Sequence, residues 1–143
     1  MRKRASRTIR DPMGWIKART PLADAQQCDL GIAYHMSLRA MLTGQGSEQA
    51  WSTLACALNI AVILCEQGVC AGALQTIQLA QDALISCRKR AHRLGKYAFS
   101  GDEARMVMRA CAIHDEQVSF STRGQVVHAL EEVNRRIEIG AIA

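Results

Sequence analysis

Cysteine and histidine are the residue types here that could bind a metal ion, and the 143-residue chain holds six and four of them. Cys111 and His114 are three residues apart, so on a helix two ligands could share one face. A structural zinc ion needs a full tetrahedral set of such ligands, and the chain contains no Cys-x-x-Cys pair to supply the rest. No histidine has, three positions before it, the glutamate that di-iron bundles use. The sequence therefore predicts no metal site and no cofactor.

Signatures of nucleophilic catalysis and of phosphate loops are also missing. There is no Gly-x-Ser-x-Gly turn. Cys87 precedes three basic residues, which favour a reactive thiolate, but it falls on an apolar stripe, where buried packing is the more common role. The turn at residues 44–47 opens a helix but lacks the lysine of a phosphate-binding loop. His114, Asp115 and Glu116 are expected on a solvated helix face, with the histidine half-buried. We expect a protein that is not an enzyme.

An even number of cysteines can indicate a disulfide framework, but a chain of this length buries an adequate core without covalent cross-links. The basic first residues are not followed by the apolar run of a secretion signal, because Asp11, Pro12 and Gly14 interrupt it. The most apolar run, at residues 54–65, is too short to span a bilayer. We therefore expect free thiols in a cytoplasmic protein that has no membrane association.

The first ten residues, MRKRASRTIR, contain five basic side chains and no acid. The chain has a net charge of +5, and without these ten residues it has 13 basic and 13 acidic residues. A basic segment on a neutral body is typical of a tether for anions. It could lie along phosphates, or it could be a solvated terminus. We interpret residues 1–20 as a flexible basic arm, whose candidate partner- or phosphate-binding residues are Arg2, Lys3, Arg4, Arg7 and Arg10.

A second basic cluster lies between residues 88 and 96. Lys89, Arg93 and Lys96 are spaced by four and three residues, so they form a stripe along one helix face. Such a stripe could bind phosphates or an acidic protein surface. The alternative is a solvated helix end whose cations complement the helix dipole. The candidate partner- or phosphate-binding residues of this cluster are Arg88, Lys89, Arg90, Arg93 and Lys96.

The elements that must carry these side chains are helices. Pro12 and Pro21 are the only prolines, and the 122 residues after them contain none, which permits long helices. Aromatic residues make up 4% of the chain, and a core of small aliphatic residues favours close helix packing. The alternating patterns typical of strands are missing. The sequence predicts an all-α fold, a single compact bundle of about five helices at residues 21–143, preceded by the arm at residues 1–20.

Capping signals and apolar spacing set the expected helices. The first covers residues 21–42, and the second begins after Ser47, is apolar almost all round and belongs at the centre. The third covers residues 72–98 with a heptad seam of small residues, against which a helix or a second copy of the chain could pack. Two capping boxes start the last two helices, Ser100 with Glu103 and Thr122 with Gln125. The expected core positions of the last three helices are Ala73, Ile77, Ala80, Leu84, Cys87, Ala91, Leu94 and Ala98, then Ala104, Val107, Met108, Cys111 and Val118, then Val126, Leu130, Val133 and Ile137.

Three short stretches carry a resemblance to known proteins. They are the basic start followed by Met13-Gly14, the junction Phe99-Ser100-Gly101, and the run IHDEQ at residues 113–117. Together they resemble small helical accessory proteins carried by phages, prophages and plasmids of proteobacteria. The resemblance implies a context rather than a chemistry, since it brings no catalytic residues with it. Accessory proteins of this kind often bind and block host machinery, including CRISPR-type nucleoprotein complexes.

We therefore expect a non-catalytic interaction protein that binds and inhibits or modulates a host protein or a protein–nucleic-acid complex, in the manner of an anti-CRISPR protein. One alternative is a direct nucleic-acid-binding protein that uses the arm and the cluster at residues 88–96. Another is a structural homo-oligomer that pairs through the seam of the third helix.

Overall fold

The computed structural model describes the backbone of residues 24–140 and the side chains of residues 31–140. Every regular element in that part of the chain is helical, which confirms the all-α bundle of five helices. The arm at residues 1–20, with its five candidate binding residues, lies outside the described residues. The helices are α1 (Asp24–Leu42), α2 (Glu48–Glu66), α3 (Leu74–Leu94), α4 (Gly101–Phe120) and α5 (Arg123–Glu138), and one turn of 3-10 helix (Ala71–Ala73) precedes α3.

α2 is the central helix of the bundle, as its apolar composition predicts. It contacts each of the other four helices, and it buries residues on every side, including Leu54, Leu58, Ile63 and Leu64. By length and composition alone α2 could cross a membrane, but half of the relevant stretch is buried inside the bundle. Burial against other helices is the usual reason for an α-helix to be apolar all round.

The predicted caps fix where the helices begin. Ser47 accepts a hydrogen bond from the backbone amide of Ala50 and starts α2. Both capping boxes are formed, Ser100 with Glu103 at α4 and Thr122 with Gln125 at α5. Each box pairs two backbone amides that would otherwise lack a partner at the helix start.

α3 is shorter than the heptad pattern predicts. It ends at Leu94, because Gly95 takes a left-handed conformation (φ 74°) that terminates a helix readily. Leu94 is therefore exposed, and Ala98 lies in the irregular segment that leads to α4. Ala73 precedes the helix and is only partly buried. The middle of the predicted seam is confirmed, since Ile77, Ala80, Leu84, Cys87 and Ala91 are buried.

α5 buries only part of the face predicted for it, since Val133 is buried as expected. Ala129 and Val133 are its buried residues, whereas Leu130 and Ile137 are exposed. The reason is that α5 makes its main contacts with α2 alone, so only a narrow strip of its surface is covered. Met108 of α4 is also exposed rather than buried.

Candidate functional site

Arg90 is held by contacts within the bundle and is not one of the solvent-facing residues of the basic cluster. Its guanidinium donates to both carboxylate oxygens of Glu103 and, at 2.7 Å, to the carbonyl oxygen of Ala98. Glu103 also accepts a hydrogen bond from the amide of Ser100. The pKa of Glu103 is lowered, and the main cause is the hydrogen bonds that it accepts from Arg90. This partly buried bidentate pair ties the end of α3 to the start of α4.

Arg88 is held against an aromatic ring. Its guanidinium carbon lies 4.6 Å from the ring centroid of Trp51, a distance that gives a favourable cation–π contact. The indole of Trp51 donates to the carbonyl oxygen of Leu84 at 2.8 Å. Arg88 is half-buried, so only part of its charge faces solvent.

Lys89, Arg93 and Lys96 are exposed, and none of the three forms an ion pair with a residue between positions 31 and 140. Lys89 and Arg93 lie one helical turn apart near the end of α3, and Lys96 follows the cap at Gly95. We call these three residues the α3 basic patch. Lys89 and Arg93 lie on a helix anchored through Arg88 and Arg90, so the sequence-predicted cluster divides into two anchoring and three solvent-facing cations.

The charge of the bundle is unevenly distributed. Residues 24–140 contain 11 basic and 12 acidic side chains, and residues 88–96 hold five of the basic ones without an acid. The remainder of this range has six basic and twelve acidic residues. Gly46, in the turn between α1 and α2, packs directly on the backbone of Tyr97, which follows Lys96. The patch therefore lies where this turn meets the segment after α3. One end of an otherwise acidic body is therefore positively charged.

A polar cluster joins α1 to α4. The hydroxyl of Tyr34 donates to Asp115, and Nε2 of His35 lies 2.8 and 2.9 Å from the two carboxylate oxygens of Asp115. Burial and then the hydrogen bond to Asp115 raise the pKa of Tyr34. His35 and Asp115 are nearly half exposed, but no nucleophile completes a triad with them among the described residues. The sequence spacing alone does not reveal this cluster, because its members are about 80 positions apart.

His114 is buried, not half-buried as predicted. Its Nδ1 lies 3.0 Å from Oε1 of Gln117, and because that amide oxygen can only accept, Nδ1 carries the proton. Desolvation lowers the pKa of His114, so the ring is neutral near pH 7. The amide nitrogen of Gln117 donates to the carbonyl oxygens of Ala61 and Val69. These bonds fasten α4 to α2 and to the turn that follows it.

The buried thiols are poorly suited to catalysis. Burial raises the pKa of Cys111 to about 12 and also raises that of Cys87, whereas a reactive cysteine needs a lowered one. Cys87 fills a core position, in line with its place on the apolar stripe. Among the described side chains, no group of three or more His, Cys, Asp or Glu residues is arranged to hold a metal ion.

A half-open cleft of about 310 Å³ lies between α2 and α3, with Arg136 of α5 at its rim. Its main polar side chains already bind one another. Gln81 donates to Asn59 at 2.9 Å, and Arg136 makes a bidentate pair with Glu66. Gln78 and Asp82, which also line the cleft, have no side-chain partner in the described part of the chain.

Comparison with known proteins identifies no relative of this chain. Neither the protein-family models, nor the curated proteins, nor the solved structures give a match to this chain. The candidate site therefore rests on the geometry described above, in which the α3 basic patch is the most distinctive charged surface.

Proposed function

We propose that this chain is a non-catalytic interaction protein that docks the α3 basic patch on an anionic surface of a host protein or nucleoprotein complex and thereby inhibits or modulates it. The observation that carries the proposal is the charge separation of the bundle, with Lys89, Arg93 and Lys96 exposed at one end of an acidic body. The resemblance to accessory proteins of mobile elements supports a host target of the anti-CRISPR kind.

The separation of basic and acidic residues on the bundle favours recognition of a partner more than it favours the stability of the fold. Exposed ion pairs contribute little to folding, but a field of one sign steers a partner of the opposite sign and fixes its orientation. The anchoring of Arg88 on Trp51 and of Arg90 on Glu103 helps to hold the end of α3 in place. A rigid surface loses less conformational entropy on binding than a mobile one.

Capture of host partners on the immobilised chain tests this proposal. We expect K89E/R93E to lose partners that the intact chain retains, because it places carboxylates against an anionic surface. The matched control is R109E/R123E, which changes the charge by the same amount at two exposed arginines of α4 and α5 that form no ion pair with a residue between positions 31 and 140. Equal loss in both variants, or in neither, would show that the patch does not select the partner.

Direct nucleic-acid binding is the second candidate, and the solvent-facing stripe of Lys89, Arg93 and Lys96 favours it. Titration against duplex and single-stranded DNA at two salt concentrations separates it from docking on a protein. A phosphate-binding protein loses affinity steeply as the salt concentration rises. No measurable binding at low salt removes this candidate.

The seam of α3, which suggested the homo-oligomer alternative, is covered within one chain. The middle of the α3 seam is buried inside one chain, where α2 and α4 contact α3. A second copy is therefore not needed to cover those residues.

A further inference from the structure

α5 presents a row of apolar side chains to solvent. Val127, Leu130 and Ile137 are 48%, 43% and 52% exposed, and with Asn134 they are spaced by three, four and three residues. We call these four residues the α5 outer seam. Single exposed apolar residues are ordinary on a protein surface, but a row at heptad spacing is typical of a surface that another segment covers.

The α5 outer seam has an acidic edge. Glu131 and Glu138 follow Leu130 and Ile137 by one residue, both are exposed, and neither forms an ion pair with a residue between positions 31 and 140. The arginines of the same helix turn are occupied, since Arg135 and Arg136 bind Glu132, and Arg136 also binds Glu66. The segment that best complements this face is apolar with adjacent basic residues.

Residues 13–19 of this chain, with the sequence MGWIKAR, have that composition. They combine the apolar Trp15 and Ile16 with the basic Lys17 and Arg19. The segment lies outside the described residues, and the chain continues from it to Asp24, where α1 begins. Lys17 and Arg19 would match the two glutamates, and the apolar pair would match the seam.

α1 and α5 both meet the C-terminal half of α2. α1 and α2 form an antiparallel hairpin with a short connection, so α1 begins beside the C-terminal half of α2. α5 packs on the same half, through Ile63, Leu64 and the ion pair at Glu66. Eight residues lie between Trp15 and Asp24, and the nine Cα–Cα steps span up to about 30 Å when extended, whereas α5 is about 24 Å long. The extended length of the intervening chain therefore exceeds the length of the seam.

We propose that residues 13–19 dock intramolecularly on the α5 outer seam, with Trp15 and Ile16 on its apolar side chains and Lys17 and Arg19 beside Glu131 and Glu138. Docking covers the apolar row and places the root of the basic arm at α5. This proposal is independent of the proposed function, because it concerns a contact within the chain.

The fluorescence of Trp15 tests the docking. The chain has two tryptophans, so the difference between the emission of the intact chain and that of W15F isolates Trp15 without disturbing the buried Trp51. We expect blue-shifted emission that acrylamide quenches weakly. In L130Q/I137Q the emission should shift to longer wavelength and the quenching should increase, because the apolar surface is lost.

L79Q is the matched control, since Leu79 is 47% exposed on α3, and we expect it to leave the Trp15 signal unchanged. Far-ultraviolet circular dichroism checks that each variant remains helical. Trp15 emission typical of a solvated indole in the intact chain, or emission insensitive to L130Q/I137Q, overturns the proposal. Shielding that disappears on dilution together with a dimeric mass in light scattering also overturns it, since the occupant is then a second copy.

Discussion

Gln117 connects three parts of the bundle through one amide group. It is fully buried, accepts a hydrogen bond from His114, and donates to Ala61 on α2 and to Val69 in the turn before α3. A buried polar side chain that finds all its partners adds specificity to an apolar core. The sequence places Gln117 near the expected stripe of α4, but nothing in its spacing indicates the backbone carbonyls that it reaches.

We predict that Gln117→Ala destabilises the protein by about 2–4 kcal/mol, because it removes the partner of His114 Nδ1 and of the Val69 carbonyl and opens a cavity. Urea unfolding measures the change as a lower midpoint. Glu116→Ala on the exposed side of the same turn is the control and should change stability by less than about 0.5 kcal/mol. Similar losses in both variants would contradict the role given to Gln117.

His114 makes stability depend on pH. Burial lowers its pKa in the folded state, whereas the unfolded chain has a histidine pKa of about 6.5. The unfolded state therefore binds the proton first as the pH falls, and stability is lost below about pH 6.5. We expect the free energy of unfolding to fall more steeply from pH 7 to pH 5 in the intact protein than in His114→Gln. Parallel pH profiles of the two proteins would rule this out.

The starts of α2, α4 and α5 were the most predictable features of the fold. The caps at Ser47, Ser100 and Thr122 depend on residues within four positions of each other, so the local sequence suffices to find them. The exposed face of α5 was not predictable, because Leu130 and Ile137 have the same apolar character and helical spacing as core residues. Which side is covered depends on how α5 crosses α2, and that is a property of the packed bundle.

Gly95 terminates α3, and substitution of this glycine tests how much its left-handed conformation contributes to stability. Its φ of 74° lies in the left-handed region, where a side chain other than glycine costs about 1–2 kcal/mol. We expect Gly95→Ala to lower the free energy of unfolding by about 1 kcal/mol. Gly72→Ala is the control: like Gly95 it has open space around a new Cβ, but its φ is not positive, so it should be neutral or slightly stabilising.

At the scale of the whole molecule, the distribution of charge matters more for docking on a partner than the net charge does. The basic cluster at residues 88–96 could be predicted as a site candidate, but the sequence does not reveal that Arg88 stacks on Trp51 or that Arg90 binds Glu103. Both contacts join residues from different helices. They leave Lys89, Arg93 and Lys96 as the cations that a partner can meet.

The most direct test of docking through the α3 basic patch is the affinity of the intact chain and of K89E/R93E for the captured host partner, at low and at high salt. We predict that the variant binds at least about tenfold more weakly at low salt, because opposing like charges cost several kcal/mol. Its affinity should also depend less on salt than that of the intact chain. Equal affinities with equal salt dependence would contradict the proposed role of the patch.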